Sequence, residues 1–392
     1  MGDVYGKCLP VLTGKCMDCS LCYHTCPGGE VDFDALNNEI FGRKPGFVLG
    51  NFEKIYVGSA AKEYPSAAGG SVVSGLLLSL LKDGIVDAAA IVDFAAKEPD
   101  KAVFKIAQTA DEIINAAGSK YVLTPADTAL RIMDGEKKYA AVTLPCQSHG
   151  IRKAVQSGVL KNINFIIGLY CGNNLYHAAT RSILKRFAMD QRVRKIAYRS
   201  GAWPGFFSAE DISGRTKKMT KSAFNYLSFL YTPDRCFYCI DLTNELADIS
   251  VGDAWGYQSK SVIVVRTKKA LSLIEKMRSA GQLLLEEISP EEAMMMHAHG
   301  LDNKKAGAFA RMSIGKSRGL PVPAYGTFKA EAGAGRFRRE RIFMKIVRIG
   351  RSGFVRFLAG ICPVWIWDML MSAVRKKWRK TTQKKTRESI AK

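Results

Sequence analysis

No His-Glu-x-x-His signature occurs in the 392 residues, and nothing argues for a hydrolase. An internal repeat is also missing. The start, MGDVYGKCLPVLTGKC, has no long apolar run and no small-residue cleavage site. No signal peptide is therefore expected, and the ten cysteines are predicted to sit in a reducing, cytoplasmic compartment. Acidic residues are scarce: 36 Asp/Glu stand against 58 Lys/Arg, a net charge of +22. Residues 336–392 alone hold 17 Lys/Arg and 3 Asp/Glu, a net of +14, leaving +8 on the other 335 residues. The basic excess is thus mostly a property of the tail. It suits an anionic surface. No nucleic-acid-binding module accompanies it, so no specific nucleic acid is expected as a partner.

Cysteine is what the sequence does have. Residues 16–27 read CMDCSLCYHTCP, placing Cys16, Cys19, Cys22 and Cys26 at the spacing C-x2-C-x2-C-x3-C before Pro27. This is the ligand run of bacterial ferredoxins. Short spacers let a looped backbone wrap a 4Fe-4S cubane, aim thiolates at its irons and point amides at its sulfurs. Zinc sites instead use two separated pairs. In two-cluster ferredoxins the fourth cysteine binds the other cluster, a role open to Cys26 if a second cluster is near.

Six cysteines remain. Cys236 and Cys239 form CFYC, Cys146 lies in TLPCQ and Cys171 in FIIGLYCGNN. The last two read as strand-end loop residues, where α/β sheets place their sites. Two strand-end cysteines plus one CxxC complete a four-thiolate set; alternatively they are small buried apolar residues. Cys8 and Cys362 have no matching partners and read as structural.

Along the chain, residues 1–50 read as loop-rich. The stretches 55–60, 88–95, 140–145, 164–171 and 261–267 read as strands, and 71–84 as a helix ended by Gly84. Residues 268–300 are expected to be helical. The alternation is that of an α/β protein. Ser66, Gly69, Gly70 and Ser71 precede the 71–84 helix, in neither a Gly-x-Gly-x-x-Gly nor a P-loop pattern. Paired glycines allow close backbone approach, and a helix N-terminus offers free N–H groups to a phosphate; the bland reading is a turn. Trp203, Pro204 and Gly205 form an aromatic turn that either lines a ring-binding pocket or packs a loop. Lys62, Arg199 and Asp253 are acid/base candidates by position alone.

In the tail, Arg338, Arg341, Lys345 and Arg348 recur at helical spacing beside Ile342, Ile346 and Ile349. The apolar stretch 357–374 follows, interrupted by Pro363 and Asp368. Its tryptophans favour an interface, so the tail reads as an anchor lying on an anionic membrane; the alternative is a helix packed on the body or on a partner subunit.

Taken in order, the ferredoxin run at 16–27, SAAGGSVVSGLLLSLLKDGIVDAA at 66–90, TLPCQSHGIRK at 143–153, GLYCGNN at 168–174, YRSGAWPG at 198–205 and CFYCIDLTNELADISVGDAW at 236–255 resemble the beta subunits of coenzyme F420 hydrogenases and dehydrogenases. The resemblance covers residues 10–300. It implies an α/β core with α+β elements that binds FAD, and one or two 4Fe-4S clusters. The implied layout is a ferredoxin-like segment (1–50), a flavin-binding core in two parts (51–150 and 151–330, the latter with the second cluster) and a basic helical tail (331–392). It further implies that Gly69, Gly70 and Ser71 meet the flavin phosphates and that Cys146, Cys171, Cys236 and Cys239 hold the second cluster; Ser66, Arg199 and Trp203 are further candidates for flavin contact by position. The expected function is a flavin-dependent oxidoreductase passing electrons between a reduced carrier (coenzyme F420, ferredoxin or a nicotinamide) and an organic acceptor. A non-catalytic electron-transfer subunit is the alternative. Two departures from the family stand out: Asp18 and Ser20 occupy positions where glycine is usual, and the tail lies outside the resemblance.

Overall fold

The computed structural model describes residues 2–377 except 5–6, 10, 13, 68, 126–132, 134, 202–204 and 375. In chain order, a short hairpin, β1 (Gly2–Val4) and β2 (Lys7–Leu9), is followed by β3 (Lys54–Ala60), β4 (Ala88–Ala95), β5 (Glu98–Ala107), β6 (Tyr139–Thr143) and β7 (Ile163–Leu169). Then come β8 (Val193–Ser200), β9 (Phe206–Asp211) and β10 (Thr216–Thr220), a separate three-stranded sheet, and finally β11 (Ile249–Asp253), β12 (Ser261–Val265) and β13 (Leu283–Glu287).

The main sheet has eight strands in the order β13-β3-β12-β11-β7-β6-β4-β5. Its centre, β11-β7-β6-β4, is parallel, and the flanking pairs are antiparallel. Strand periodicity explains the layering. Ile55 and Val57 of β3, and Val262 and Val264 of β12, face one side, while Tyr56, Ile263 and Val265 face the other. Both faces are covered, so these strands are continuously apolar. Helices Val72–Lys82 and Lys268–Ser279 bury Leu76, Leu80, Leu273 and Ile274 on the second face. Helix Pro145–Gln156 covers the first with Ile151 and Ala154. The fold is therefore α/β with α+β elements, as the sequence implied.

Two expectations need correction. Residues 268–300 are not one helical run: the helix ends at Ser279, Gly281 turns the chain at φ 67°, and Leu283–Glu287 adds an antiparallel edge strand to β3 before helix Pro290–Asp302. A left-handed residue cannot continue a helix, and three consecutive leucines satisfied the helical pattern as well as the strand. The loop-rich 1–50 segment holds a nine-residue helix, Phe33–Phe41, whose cap Asp32 accepts from the Ala35 amide at 2.9 Å.

Candidate functional site

The parallel strands β4, β6, β7 and β11 end on one edge of the sheet, the edge where α/β folds bind ligands. Cys146 stands in the first turn of helix Pro145–Gln156, just beyond β6, and Cys171 just beyond β7. The segment 236–245 crosses above them. Gly168 permits this crossing, because a Cβ there would meet the Asn244 side chain at 2.4 Å. Asn244, itself at φ 63°, donates to the Thr143 carbonyl at 2.8 Å. Asp241 holds the segment from below: it accepts the Asn244 and Glu245 amides at 2.8 and 2.9 Å and pairs with buried His149 at 2.9 Å.

This crossing gathers four cysteines from three segments. Burial pushes the Cys146 thiol up to about 12, and the nearby Cys239 and Cys236 sulfurs add to the rise. Cys171 is raised well above an ordinary thiol by burial, with further contributions from Cys236, Cys146 and Cys239. Neighbouring cations oppose the effect. Lys304, 2% exposed, sits in the π-helix Asn303–Gly307 and donates to the Cys236 carbonyl at 3.4 Å. Arg235 donates to the Pro27 carbonyl at 2.6 Å and lies against Tyr325, 5.6 Å from its ring centroid; among the described residues its buried Nε and Nη1 meet no partner in hydrogen-bonding geometry.

That Arg235 bond ties the set to the first motif. Cys16, Cys19, Cys22 and Cys26 are all exposed around the short helix Leu21–Thr25. The helix carrying Cys146 supplies a second tie, since Lys153 donates to the Cys26 carbonyl at 3.0 Å. Backbone amides point at sulfur: Gly28 N–H reaches Cys26 Sγ at 3.3 Å, and Asp18 N–H reaches Cys16 Sγ at 3.4 Å. Asp18 and Ser20 have φ of 50° and 56°. This is the left-handed region that favours glycine, so both side chains are held there at a conformational cost. Among the described residues no group of His, Cys, Asp or Glu closes around a single metal ion. A cubane keeps its thiolates farther apart than one ion does.

Beside the buried cysteines, across the ends of β4, β6 and β7, lies a cleft of about 180 Å³. Its walls include Leu77, Ile91 and Val142, and its polar lining includes Ser71, Lys120 and Gln147. That volume encloses a ring system rather than a whole dinucleotide. Gln147 is the residue after Cys146, so one helix turn borders both the cleft and the thiols. Ser71 caps helix Val72–Lys82 at φ 60° and uses its hydroxyl to accept from the Tyr64 amide at 3.0 Å, leaving the first-turn amides without a side-chain cap. Gly70 is required here by the backbone: a Cβ would meet Ser59 Cβ and the Ser259 carbonyl, both at 2.9 Å.

Lys120 is the residue that sequence reasoning missed. Burial lowers its ammonium to about 8, partly offset by Asp93. It donates to the Ala116 carbonyl and lies 5.5 Å from the Phe94 ring centroid, and it makes no ion pair among the described residues. Its only sequence signal is the preceding Gly118-Ser119. Arg199 Nη1 donates to both carboxylate oxygens of Asp253, at 2.7 and 2.9 Å, beside Gly69, where an added Cβ would lie 3.2 Å from Asp253 Oδ1. Ser66 stands opposite Gly118 in the same region. Lys62 is exposed over Tyr64 and apart from this group. Trp203 lies outside the described residues.

The chain is similar in sequence and fold to known proteins. Residues 55–131 match the coenzyme F420 hydrogenase/dehydrogenase beta subunit N-terminal family, and residues 136–291 match the corresponding C-terminal family. A coenzyme F420 hydrogenase subunit beta of Methanothermobacter thermautotrophicus is 28% identical over 70% of this chain and 99% of its own length. A coenzyme F420-dependent sulfite reductase of Methanocaldococcus jannaschii is 26% identical over 70% of this chain but only 48% of its own length. A chain of the F420-reducing [NiFe] hydrogenase complex of Methanosarcina barkeri shares the fold at a TM-score of 0.57 and 21% identity, covering 70% of this chain and 98% of that one. The protein belongs to the coenzyme F420 hydrogenase/dehydrogenase beta-subunit family.

Proposed function

We propose that the chain is a cytoplasmic iron–sulfur flavoprotein oxidoreductase that passes electrons between a reduced carrier (coenzyme F420, ferredoxin or a nicotinamide) and an acceptor through FAD and two 4Fe-4S clusters. One observation carries this reading. Four thiols from three segments converge beneath Arg235, a buried guanidinium with two unpartnered donors, beside Lys304. Buried donors without partners are costly. A thiolate-bound cluster is an anion that would satisfy them, and iron coordination would displace to solvent the protons these buried thiols hold so tightly.

Cys146, Cys171, Cys236 and Cys239 would hold one cluster, and Cys16, Cys19, Cys22 and Cys26 the other. The donor set fits a flavin as well: Ser66, Gly69, Gly70 and Ser71 with the first-turn amides would receive phosphate, Lys120 would supply a positive charge, and the apolar walls would take a ring. Bound flavin exchanges two electrons with an organic partner and one with a cluster. The protein's own contribution is placement. Gln147 and Cys146 adjoin, so the cleft lies next to the buried set, and Arg235 and Lys153 hold the exposed run against that set.

A second reading rests on the exposure of Cys16, Cys19, Cys22 and Cys26. A surface cluster suits delivery to a partner subunit or carrier protein, and the chain would then be an electron-transfer subunit with no substrate of its own.

Anaerobic purification with iron, sulfide and flavin assays tests both. About eight irons, the content of two cubanes, with one FAD per chain is expected. About four irons without flavin would overturn the enzyme reading and leave the electron-transfer subunit. Redox-silent zinc would overturn both.

A further inference from the structure

The C-terminal helices turn apolar residues in two directions. Helix Ala334–Gly350 packs Phe343 against Phe237 and buries Val347, yet Ile346 and Ile349 are 50% and 63% exposed. Helix Gly353–Ile361 buries Ala359 and leaves Phe354, Phe357 and Ile361 64–70% exposed. Helix Val364–Val374 stacks Trp367 on Tyr226 at 4.6 Å and holds Trp365 outward, 66% exposed. Among the described residues, eleven of the twenty-three exposed large hydrophobic side chains fall within 342–374. A surface helix ordinarily presents polar residues there, and an apolar face of this extent marks an interaction site.

The inner face is already committed. Arg336 pairs with Asp302 at 2.6 Å, and Glu340 pairs with buried Arg311 at 2.7 Å. Arg186 donates to the Cys362 carbonyl at 2.6 Å, Arg356 to the Leu230 carbonyl at 2.8 Å, and Thr220 to Asp368 at 2.8 Å. The helices are therefore fixed on the body with their apolar side outward.

Charge says what covers it. Arg318, Arg338, Arg341 and Lys345 line a groove of about 710 Å³ floored by Phe337 and Ile342. None of the four makes an ion pair among the described residues. Protein–protein interface cores are depleted of lysine, whereas unpaired cations on a helix that also exposes Ile342, Ile346 and Ile349 are what an anionic bilayer surface accommodates. No single described helix is long and apolar enough to cross a membrane, and the pair Gly353–Ile361 and Val364–Val374 is bent by 111°.

We propose that this face docks the protein on an anionic phospholipid bilayer, the groove cations meeting phosphate headgroups and Phe354, Phe357, Ile361 and Trp365 entering the acyl boundary. The proposal stands apart from the redox reading, since iron and flavin content do not enter its test. The full chain is floated with phosphatidylcholine vesicles with and without phosphatidylglycerol. It should rise only with the anionic vesicles, and less at high salt. Phe357→Ser with Ile361→Ser, and separately Arg338→Gln with Arg341→Gln, should each lower the vesicle partition coefficient by about tenfold or more, with circular dichroism and iron content unchanged. Failure of a monomeric wild-type protein to float overturns the proposal, as does full binding by both double variants. A dimer that Phe357→Ser with Ile361→Ser dissociates would assign the face to a second copy instead.

Discussion

The two cysteine sets differ in how they are made. Cys16, Cys19, Cys22 and Cys26 lie within eleven residues, are exposed, and depend on local backbone turns at Asp18 and Ser20. Cys146, Cys171, Cys236 and Cys239 come from three segments, sit in the half-buried to buried range, and rest on an interior layer of charge. In that layer Asp241 meets His149, and Glu245 meets Lys305 at 2.5 Å, with all four side chains no more than 4% exposed. The local set is a surface feature attached to the fold, whereas the dispersed set is part of the core. Damage to each should register differently.

The largest effect is expected beneath the buried set. Lys305→Met would leave the Glu245 carboxyl buried without its cation and cost about 3–5 kcal/mol, read by denaturant unfolding. Burial already raises that carboxyl to about 7. A raised carboxyl favours the folded state while protonated, so its contribution is complete at low pH and is lost as pH rises through about 7. The variant's deficit should therefore deepen from pH 5 to pH 8. An equal loss at every pH would show that Glu245 is not the titrating group.

Serine at one cysteine of each set sharpens the contrast. Cys239→Ser should remove about half of the iron and also lower the thermal midpoint, because the side chain is 6% exposed. Cys19→Ser should remove the other half and leave the midpoint of the metal-free protein unchanged. If Cys19→Ser leaves bound iron untouched, the first motif is not a cluster site.

A smaller effect belongs to the cleft. Lys120→Met should weaken flavin binding by one to two orders of magnitude, the range for losing a charge-assisted hydrogen bond. In the wild type, binding should weaken as pH rises through about 8, where the ammonium loses its proton. Fluorescence of released flavin reads both, and a variant with the same pH profile as the wild type would remove Lys120 from the site. The smallest change is Asp18→Gly. It relieves a left-handed residue for roughly 1 kcal/mol and should slow iron loss to a chelator by a fewfold.

Much of this was legible before any coordinates. The run at 16–27 could be read as a candidate site because all four of its cysteines fall within one short loop, where spacing is geometry. The strand cores could be read because both faces are buried and the apolar runs are unbroken. The 268–300 region misled because Leu283–Leu285 fits either period, and Gly281 marked the break. Lys120 escaped because a lysine after Gly-Ser looks like any solvated loop residue, and its burial comes from helix Ala110–Asn115 and β4 folding around it.

By itself, then, the sequence determined the α/β alternation, the spacing of the first cysteine run, the glycine-rich entry to helix Val72–Lys82 and the basic tail, because each is written in neighbouring residues. Only tertiary structure decided that residues 146, 171, 236 and 239 meet, that Arg235 and Lys304 stand over them, and that the tail turns an apolar face outward. Each of those depends on contacts between segments tens of residues apart, and local spacing carries no record of such distances.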